Sequence, residues 1–156
     1  MKIVNTLLLL LFASLSASAA DPEGVPPPPE PYCKWEMVNY AIPESLCGLQ
    51  GEAARGELIV SDAAKGNCLA CHQLPIKGVE AYGTIAPPLS GIAKRLSEAQ
   101  LRLRVVDSRH LSPNSIMPGF YRDPSLINRP GKGYAGRTFL AAQDVEDVIA
   151  YLVTLK

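Results

Sequence analysis

The residues of this chain that could do chemistry are concentrated in the stretch GNCLACHQLP, which runs from Gly66 to Pro75. It contains Cys68 and Cys71, two of the four cysteines of the chain, and His72, one of its two histidines. Two cysteines separated by two residues can form a redox dithiol, contribute half of a zinc site, or attach a larger group covalently. The histidine that follows helps to decide between these three kinds of site.

Covalent attachment of haem is the chemistry that this spacing fits best, because Cys-x-x-Cys-His is the pattern used for it. Two intervening residues place both sulfurs within reach of the two vinyl groups of the ring. His72 directly follows the second cysteine, so its imidazole can bind the iron from one axial side. We therefore predict one covalent haem c that is attached to Cys68 and Cys71, with His72 as an axial iron ligand.

The redox dithiol and the zinc site remain open as alternatives, but both fit the sequence less well. A dithiol of the thioredoxin type is expected in a βαβ unit and has no need of the adjacent histidine, whereas the flanks here resemble helix and loop. A zinc site would need two more ligands. His110 and the pair Cys33 and Cys47 could supply them, but their spacing matches no common zinc module.

The opposite face of the iron needs a second ligand or stays open, and Met117 is the strongest candidate for it. Met117 lies in the loop SIMPGFY, where Pro118 restricts the backbone and Tyr121 can pack nearby. Methionine ligation raises the reduction potential of haem iron and suits an electron acceptor. The other candidates are His110 and Met37, and Met117 could also be an ordinary core residue. We predict Met117 as the second axial ligand.

The segment GTIAPPLSG (83–91) is predicted to orient His72. An imidazole bound to a metal usually donates its remaining N–H to a carbonyl oxygen, which fixes the ring. Pro87 offers such a carbonyl in a stiff turn. We predict that Pro87 accepts a hydrogen bond from His72; the alternative is a proline turn without this contact.

The elements that position these residues are predicted to be short helices joined by long loops rich in proline and glycine. Helical spacing predicts a first helix over Gln50–Ala64, with Leu58 and Ile59 on one face. The sequence SEAQ (97–100) is a capping box that opens a second helix, whose buried side is marked by Leu101, Val105 and Leu111.

The last residues of the chain, 141–156, predict a third helix, and no stretch alternates as a strand, so the chain is predicted to be all-α. No N-cap side chain is available at Ala141 or Ala142, so we expect Asp144 and Glu146 to support the helix start through its dipole. The apolar face of this helix is expected to contain Val145, Val148, Ile149, Leu152 and Leu155. Loops as long as those between the helices are unusual in a small domain unless they wrap around a bound group.

The N-terminal third is predicted to contain two segments outside the haem-binding domain. Residues 1–20 resemble a cleaved signal peptide, with Lys2, an apolar run shorter than a membrane span, and small residues after it. Residues 21–47 form an extension that is rich in proline, in which Cys33 and Cys47 most simply form a disulfide worth about 3 kcal/mol. Residues 48–156 are then the haem-binding domain. Removal of Lys2 from 15 basic residues leaves 14 against 15 acidic ones, which argues against a nucleic-acid partner.

The chain resembles the class I c-type cytochromes over about residues 48–156. The resemblance is carried by KGNCLACHQLP, APPLSGI, SIMPGFYR and QDVEDVIAYLVTLK, and by Gly56 in the first helix. It implies the class I cytochrome c fold, in which the first and last helices cross at a glycine, so Gly56 should pack near Tyr151 and Leu152. Within that family the motifs are most similar to SoxX, the mono-haem subunit of the SoxAX complexes that oxidise thiosulfate.

The resemblance to SoxX implies a periplasmic heterodimer with a SoxA-like cytochrome subunit. The two subunits would couple thiosulfate oxidatively to a cysteine of the carrier protein SoxYZ, and this chain would pass the electrons to a soluble acceptor cytochrome. It would be an electron-transfer subunit without catalytic residues, since no nucleophile–base arrangement or carboxylate pair is recognisable. Arg129, Lys132 and Arg137 could line the haem edge or be ordinary solvated charges. The alternatives are a free-standing periplasmic electron shuttle, a gas-binding haem protein with an open iron site, and a zinc module.

Overall fold

The computed structural model describes residues 30–131 and 133–156. The predicted signal peptide, residues 1–20, and the beginning of the proline-rich extension lie outside the described residues, as does Lys132. In the described part the chain forms three α-helices and five short 3₁₀ turns, and its β pairing is limited to one isolated bridge between Val38 and Ala41. The all-α prediction is therefore confirmed. None of the described helices has the length and hydropathy needed to cross a lipid bilayer.

The three helices are α1 (Ala53–Ser61), α2 (Glu98–Asp107) and α3 (Ala142–Leu152). The 3₁₀ turns lie in the connections between and before them. They are Leu46–Gly48, Cys68–Ala70, Ile92–Lys94, Ser108–His110 and Pro124–Leu126. Most of the chain between the helices is loop, so three short helices anchor long connecting segments.

Helix α1 is shorter than predicted and buries a different face. Glu52 is extended, with φ −118° and ψ 116°, and its N–H donates to the Asp147 carboxylate at 2.8 Å. The helix therefore starts three residues after Gln50. The prediction that Leu58 and Ile59 lie on one face is wrong, because Leu58 is 72% exposed whereas Ile59 and Val60 are buried.

Helices α1 and α3 cross at Gly56, as the family resemblance implied. A Cβ atom at Gly56 would overlap the carbonyl oxygen of Asp147 and approach Cβ of Tyr151 to 2.8 Å. Gly51, just before α1, makes the same kind of approach to Glu146 and Ala150. Two backbones therefore touch at this crossing, and only residues without a side chain permit it.

We expect Gly56→Ala to lower the free energy of unfolding by about 3 kcal/mol, because the new methyl group would displace α3 from α1. This value is a net effect: the clash alone would cost more, and the better helix propensity of alanine would offset about 1 kcal/mol of that cost. Gly131→Ala is the matched control, since a Cβ atom there would meet only the Tyr134 ring at 3.7 Å. Chemical denaturation of the holoprotein measures both. A Gly56→Ala protein as stable as the control would show that the helices do not cross this closely.

Helix α2 begins at the predicted capping box. The Ser97 hydroxyl accepts from the Gln100 backbone N–H at 3.3 Å, and the Gln100 side chain accepts from the Ser97 N–H at 3.0 Å. Leu101 and Val105 are buried as predicted, and Leu111, beyond the helix, is half-buried. This helix therefore presents an apolar side toward the centre of the molecule.

Helix α3 has the predicted apolar face and starts, as predicted, after Ala141, which offers no side-chain cap. Val145, Val148, Ile149 and Leu152 are buried, and Leu155 is half-buried beyond the helix end. The proposed dipole role of Glu146 is wrong, because the first turn contains only Asp144 as an acidic residue. Glu146 is instead 3% exposed and accepts from Arg102 Nε at 2.9 Å.

The segment before α1 is fastened to the helices. A disulfide joins Cys33 and Cys47, whose Cα atoms are 5.4 Å apart. Ile42 and Leu46, inside this loop, are buried in the same apolar core as the helices. We call residues 32–47 the strap, because this closed loop lies on the domain instead of extending from it.

Candidate functional site

An apolar cavity lies among the Cys-x-x-Cys-His segment, α2, α3 and the loop that contains Met117. Its empty volume, with open solvent included, is about 610 Å³. Cys68, His72 and Met117 all line it, together with apolar side chains such as Leu101, Val105 and Val148. The cavity therefore brings the predicted attachment site and both predicted iron ligands to one place.

The cysteine motif forms a tight turn that presents its functional groups to this cavity. Asn67, before the turn, has a left-handed backbone with φ 46°, and Cys68–Ala70 is a 3₁₀ turn. The N–H of His72 donates to the Cys68 carbonyl oxygen at 2.8 Å, which folds the histidine back toward the first cysteine. Cys68 and Cys71 are both half-buried and form no disulfide, so both thiols can react with a vinyl group.

The segment from Gly83 to Pro87 runs directly along the motif. Gly83 N–H donates to the Leu69 carbonyl oxygen at 2.7 Å, and Ala86 N–H donates to that of Cys71 at 3.0 Å. A Cβ atom at Gly83 would overlap the Ala70 carbonyl oxygen and lie 2.9 Å from Cα of Cys71. Sequence reasoning missed this role of Gly83, although a glycine in a proline-rich loop is a signal for close backbone approach.

The predicted contact between His72 and Pro87 is present. The Pro87 carbonyl oxygen lies 2.7 Å from His72 Nδ1. A carbonyl oxygen only accepts, so Nδ1 bears the proton and Nε2 has its lone pair available for a metal. The turn itself is held by Arg95, whose guanidinium donates to the Pro88 carbonyl oxygen at 3.0 Å.

Met117 is half-buried at the cavity, on a loop that is fixed at both ends. On one side its N–H donates to the Ser115 hydroxyl at 3.3 Å, and this hydroxyl lies 2.8 Å from that of Ser108. On the other side the N–H groups of Phe120 and Tyr121 each donate to carbonyl oxygens at the end of α2, at 3.2 Å. The thioether is therefore held near the cavity by backbone contacts on both sides.

The other predicted ligand candidates lie elsewhere. Met37 belongs to the strap and is 43% exposed. The ring of His110 is exposed and lies edge-on to the Trp35 indole, with a centroid separation of 5.2 Å, and His110 does not line the cavity. Cys33 and Cys47 form a disulfide with each other, so neither is available as a metal ligand. Among residues 30–131 and 133–156, no group of three or more His, Cys, Asp and Glu side chains could hold a metal ion. The zinc alternative therefore has no support in the described part of the chain.

The thiol of Cys68 does not resemble that of a redox dithiol. The pKa of Cys68 is raised to about 11, mainly by burial; a backbone hydrogen bond lowers it in part, and the nearby Cys71 makes a smaller raising contribution. Reactive cysteines of redox dithiols have lowered pKa values instead. A neutral, apolar environment suits a sulfur that ends as a thioether.

Sequence reasoning also missed Arg104, Phe120 and Leu140, which line the cavity. Arg104 is the only charged side chain in that lining, and its guanidinium donates to the Gln100 carbonyl oxygen at 2.9 Å. Of the predicted basic loop residues, Arg129 and Arg137 are not part of the lining, and Lys132 lies outside the described residues. Arg129 is exposed and Arg137 is half-buried.

The residues present fit a covalent haem. The Cys68 thiol, the His72 imidazole with its Nδ1 proton engaged, and the Met117 thioether line a largely apolar cavity. The second unpaired thiol, that of Cys71, lies in the adjoining turn but outside this lining. This donor set is the one that class I haem attachment and His/Met ligation require. An apolar lining also excludes water from a bound ring, which is one of the factors that set the potential of a haem.

Comparison with known proteins gives the same result. The family model for cytochrome c matches residues 53–156. Among solved structures, a chain of the crystal structure of SoxXA from P. pantotrophus superimposes with a TM-score of 0.70. The two chains are 42% identical, and the match covers 78% of this chain and 94% of that chain. No curated protein matches the sequence.

Proposed function

This chain belongs to the cytochrome c family, and from that premise we propose that it is the electron-transfer subunit of a thiosulfate-oxidising complex. It has the class I fold, is similar to SoxX, and binds haem c covalently. The convergence of Cys68, His72 and Met117 on one apolar cavity supports the haem site, and the 42% identity to a chain of SoxXA is the observation that carries the proposal of a thiosulfate-oxidising complex.

We assign the attachment of the ring to Cys68 and Cys71, and His72 and Met117 would be the ligands of its iron. When bound, the haem would supply a one-electron redox couple. The Pro87 carbonyl oxygen keeps the proton on His72 Nδ1, so the lone pair of Nε2 would be available to the iron.

The proposed partner is a SoxA-like subunit, by analogy with the SoxXA crystal structure, whose chain is 42% identical to this one. Joining thiosulfate to a cysteine thiol of a carrier protein of the SoxYZ type forms one S–S bond and releases one proton and two electrons. The bond would form on the partner. The present chain would take up the electrons one at a time and pass them to a soluble cytochrome.

The complex would work in the periplasm, with residues 1–20 removed as a signal peptide. Three features support export: the apolar and small-residue pattern of residues 1–20, the Cys33–Cys47 disulfide, and covalent haem at the motif. N-terminal sequencing of the purified protein should find a start at Ala20 or Asp21. A mature chain that begins at Met1 would contradict export by this route.

The decisive experiment is co-purification with a SoxA-like haem protein expressed from the same cell. We expect a stable complex that reduces a soluble cytochrome in the presence of thiosulfate and carrier protein. A monomer that exchanges electrons with an oxidase or its cytochrome, and binds no second haem protein, would identify the free-standing shuttle instead. Intact mass in either case should exceed that of the polypeptide by one haem; unmodified Cys68 and Cys71 would contradict both functions.

A further inference from the structure

We propose that Tyr121 is a positioning residue for the Met117 thioether. Through its contacts with Tyr121, the strap would help to hold the loop that contains Met117 in place. The inference rests on the proposed ligation of the haem iron by Met117. The proposal gives the strap a function. Neither haem attachment nor the fold of the helices by itself requires the strap.

Tyr121 is the point at which the strap touches the ligand loop. Its side chain is 2% exposed, and its hydroxyl accepts the Cys33 backbone N–H at 2.9 Å. The ring of Tyr32 stacks on the Tyr121 ring, with a centroid separation of 5.1 Å and an interplanar angle of 23°. One hydrogen bond and one ring stack therefore join the beginning of the strap to a residue four positions after Met117.

The strap is itself rigidly anchored, so it can transmit a restraint. Its first cysteine is bonded to Cys47, and the neighbouring Leu46 donates its N–H to the Glu146 carboxylate at 2.9 Å. In the middle, the Ile42 carbonyl oxygen accepts from Arg102 at 2.9 Å, and the Ile42 N–H donates to the Ala99 carbonyl oxygen at 3.0 Å. The strap is thus tied to both α2 and α3 through residues other than those that contact Tyr121.

The restraint passes from Tyr121 to Met117 over a very short stretch of chain. Three residues separate them, and the first, Pro118, has a backbone φ that its ring fixes. The Met117 N–H itself has only a long contact of 3.3 Å, to the Ser115 hydroxyl. The two backbone bonds of Phe120 and Tyr121 to α2 are also long, at 3.2 Å each. The Tyr121 hydroxyl contact, at 2.9 Å, is the hydrogen bond that joins this side of the loop to the strap, while the Phe120 carbonyl oxygen accepts the Leu140 N–H at 2.8 Å.

The test uses Tyr121→Phe in the holoprotein, which keeps the ring and removes the acceptor for the Cys33 N–H. Loss of this buried contact should shift the balance between Met117-bound and open iron about tenfold toward the open form. We expect carbon monoxide to bind the reduced protein about tenfold faster. We also expect the weak far-red sulfur-to-iron(III) absorption band to disappear at a lower temperature than the global unfolding transition.

Tyr151→Phe is the matched control, because Tyr151 is also buried, at 5% exposed, but lies on α3 outside the cavity lining. It should bind carbon monoxide at the wild-type rate. The double variant Cys33→Ser/Cys47→Ser should behave like Tyr121→Phe, and it provides the test if Tyr121→Phe does not fold.

Two results distinguish the proposal from the function on which it rests. Wild-type protein that shows the far-red band, with Tyr121→Phe and the disulfide variant indistinguishable from it in band stability and carbon monoxide binding, would overturn the positioning role alone. Wild-type protein without the band would overturn Met117 ligation, and the positioning role with it.

Discussion

Replacement of Met117 by alanine is expected to abolish the far-red sulfur-to-iron(III) band completely and to open the iron to carbon monoxide. The alanine side chain has no donor atom, and among the described residues the cavity lining contains no further methionine and no histidine other than His72. The reduction potential should fall, because methionine ligation raises it. Absorption spectra, carbon monoxide titration and a redox titration of the purified variant measure the three effects.

Met37→Ala is the control for this experiment. Met37 is the other methionine of the described residues. It is 43% exposed on the strap, so its loss should change neither the band nor the potential. If Met117→Ala retained the band and Met37→Ala lost it, the ligand assignment would be wrong. If wild-type protein lacked the band and its reduced form still did not bind carbon monoxide, the sixth ligand would be a nitrogen donor, with His110 as the next candidate.

The site could be predicted from sequence because its signals are local. The spacing of Cys68, Cys71 and His72 is fixed within five residues, and the proline next to Met117 marks a stiff loop without any knowledge of the fold. The contact between Pro87 and His72 spans 15 residues, yet it could also be predicted because a metal-bound imidazole needs an acceptor and rigid carbonyls are few.

The features that could not be predicted depend on partners far away in the chain. Helix α1 starts late because the Glu52 N–H bonds to Asp147, which is 95 residues distant. Leu58 faces solvent although it is apolar, since the Gly56 crossing sets the rotation of α1 and turns Ile59 and Val60 inward. Glu146 and Arg102 resemble surface charges in the sequence, and only the packing of α2 on α3 reveals that both are buried.

The second large effect is expected from that buried pair. Arg102 and Glu146 are 2% and 3% exposed, and Arg102 Nε and Nη2 donate to the two carboxylate oxygens of Glu146 at 2.9 Å each. Glu146 also accepts the Leu46 N–H at 2.9 Å, so one carboxylate joins α2, α3 and the strap. Its removal would leave a buried guanidinium and a buried N–H without their main acceptor.

We expect Glu146→Ala to lower the free energy of unfolding by about 3–5 kcal/mol, the usual cost of leaving one member of a buried ion pair alone. Glu98→Ala is the matched control, because Glu98 contacts the same Arg102 at 2.6 Å but is 60% exposed. An exposed pair contributes at most about 1 kcal/mol, so this variant should be nearly as stable as wild type. Urea denaturation of the holoproteins gives both values.

The double variant Arg102→Met/Glu146→Leu separates the pair's own contribution from the cost of breaking it. Replacing both charges by apolar side chains of similar size is often neutral or stabilising, so the double variant should be more stable than Glu146→Ala. The Leu46 N–H would still lack its acceptor, and we therefore expect the strap to be cleaved by protease faster than in wild type even when the helices are stable. A Glu146→Ala protein within about 1 kcal/mol of wild type would show that the ion pair is solvated and that the strap is held by its apolar residues alone.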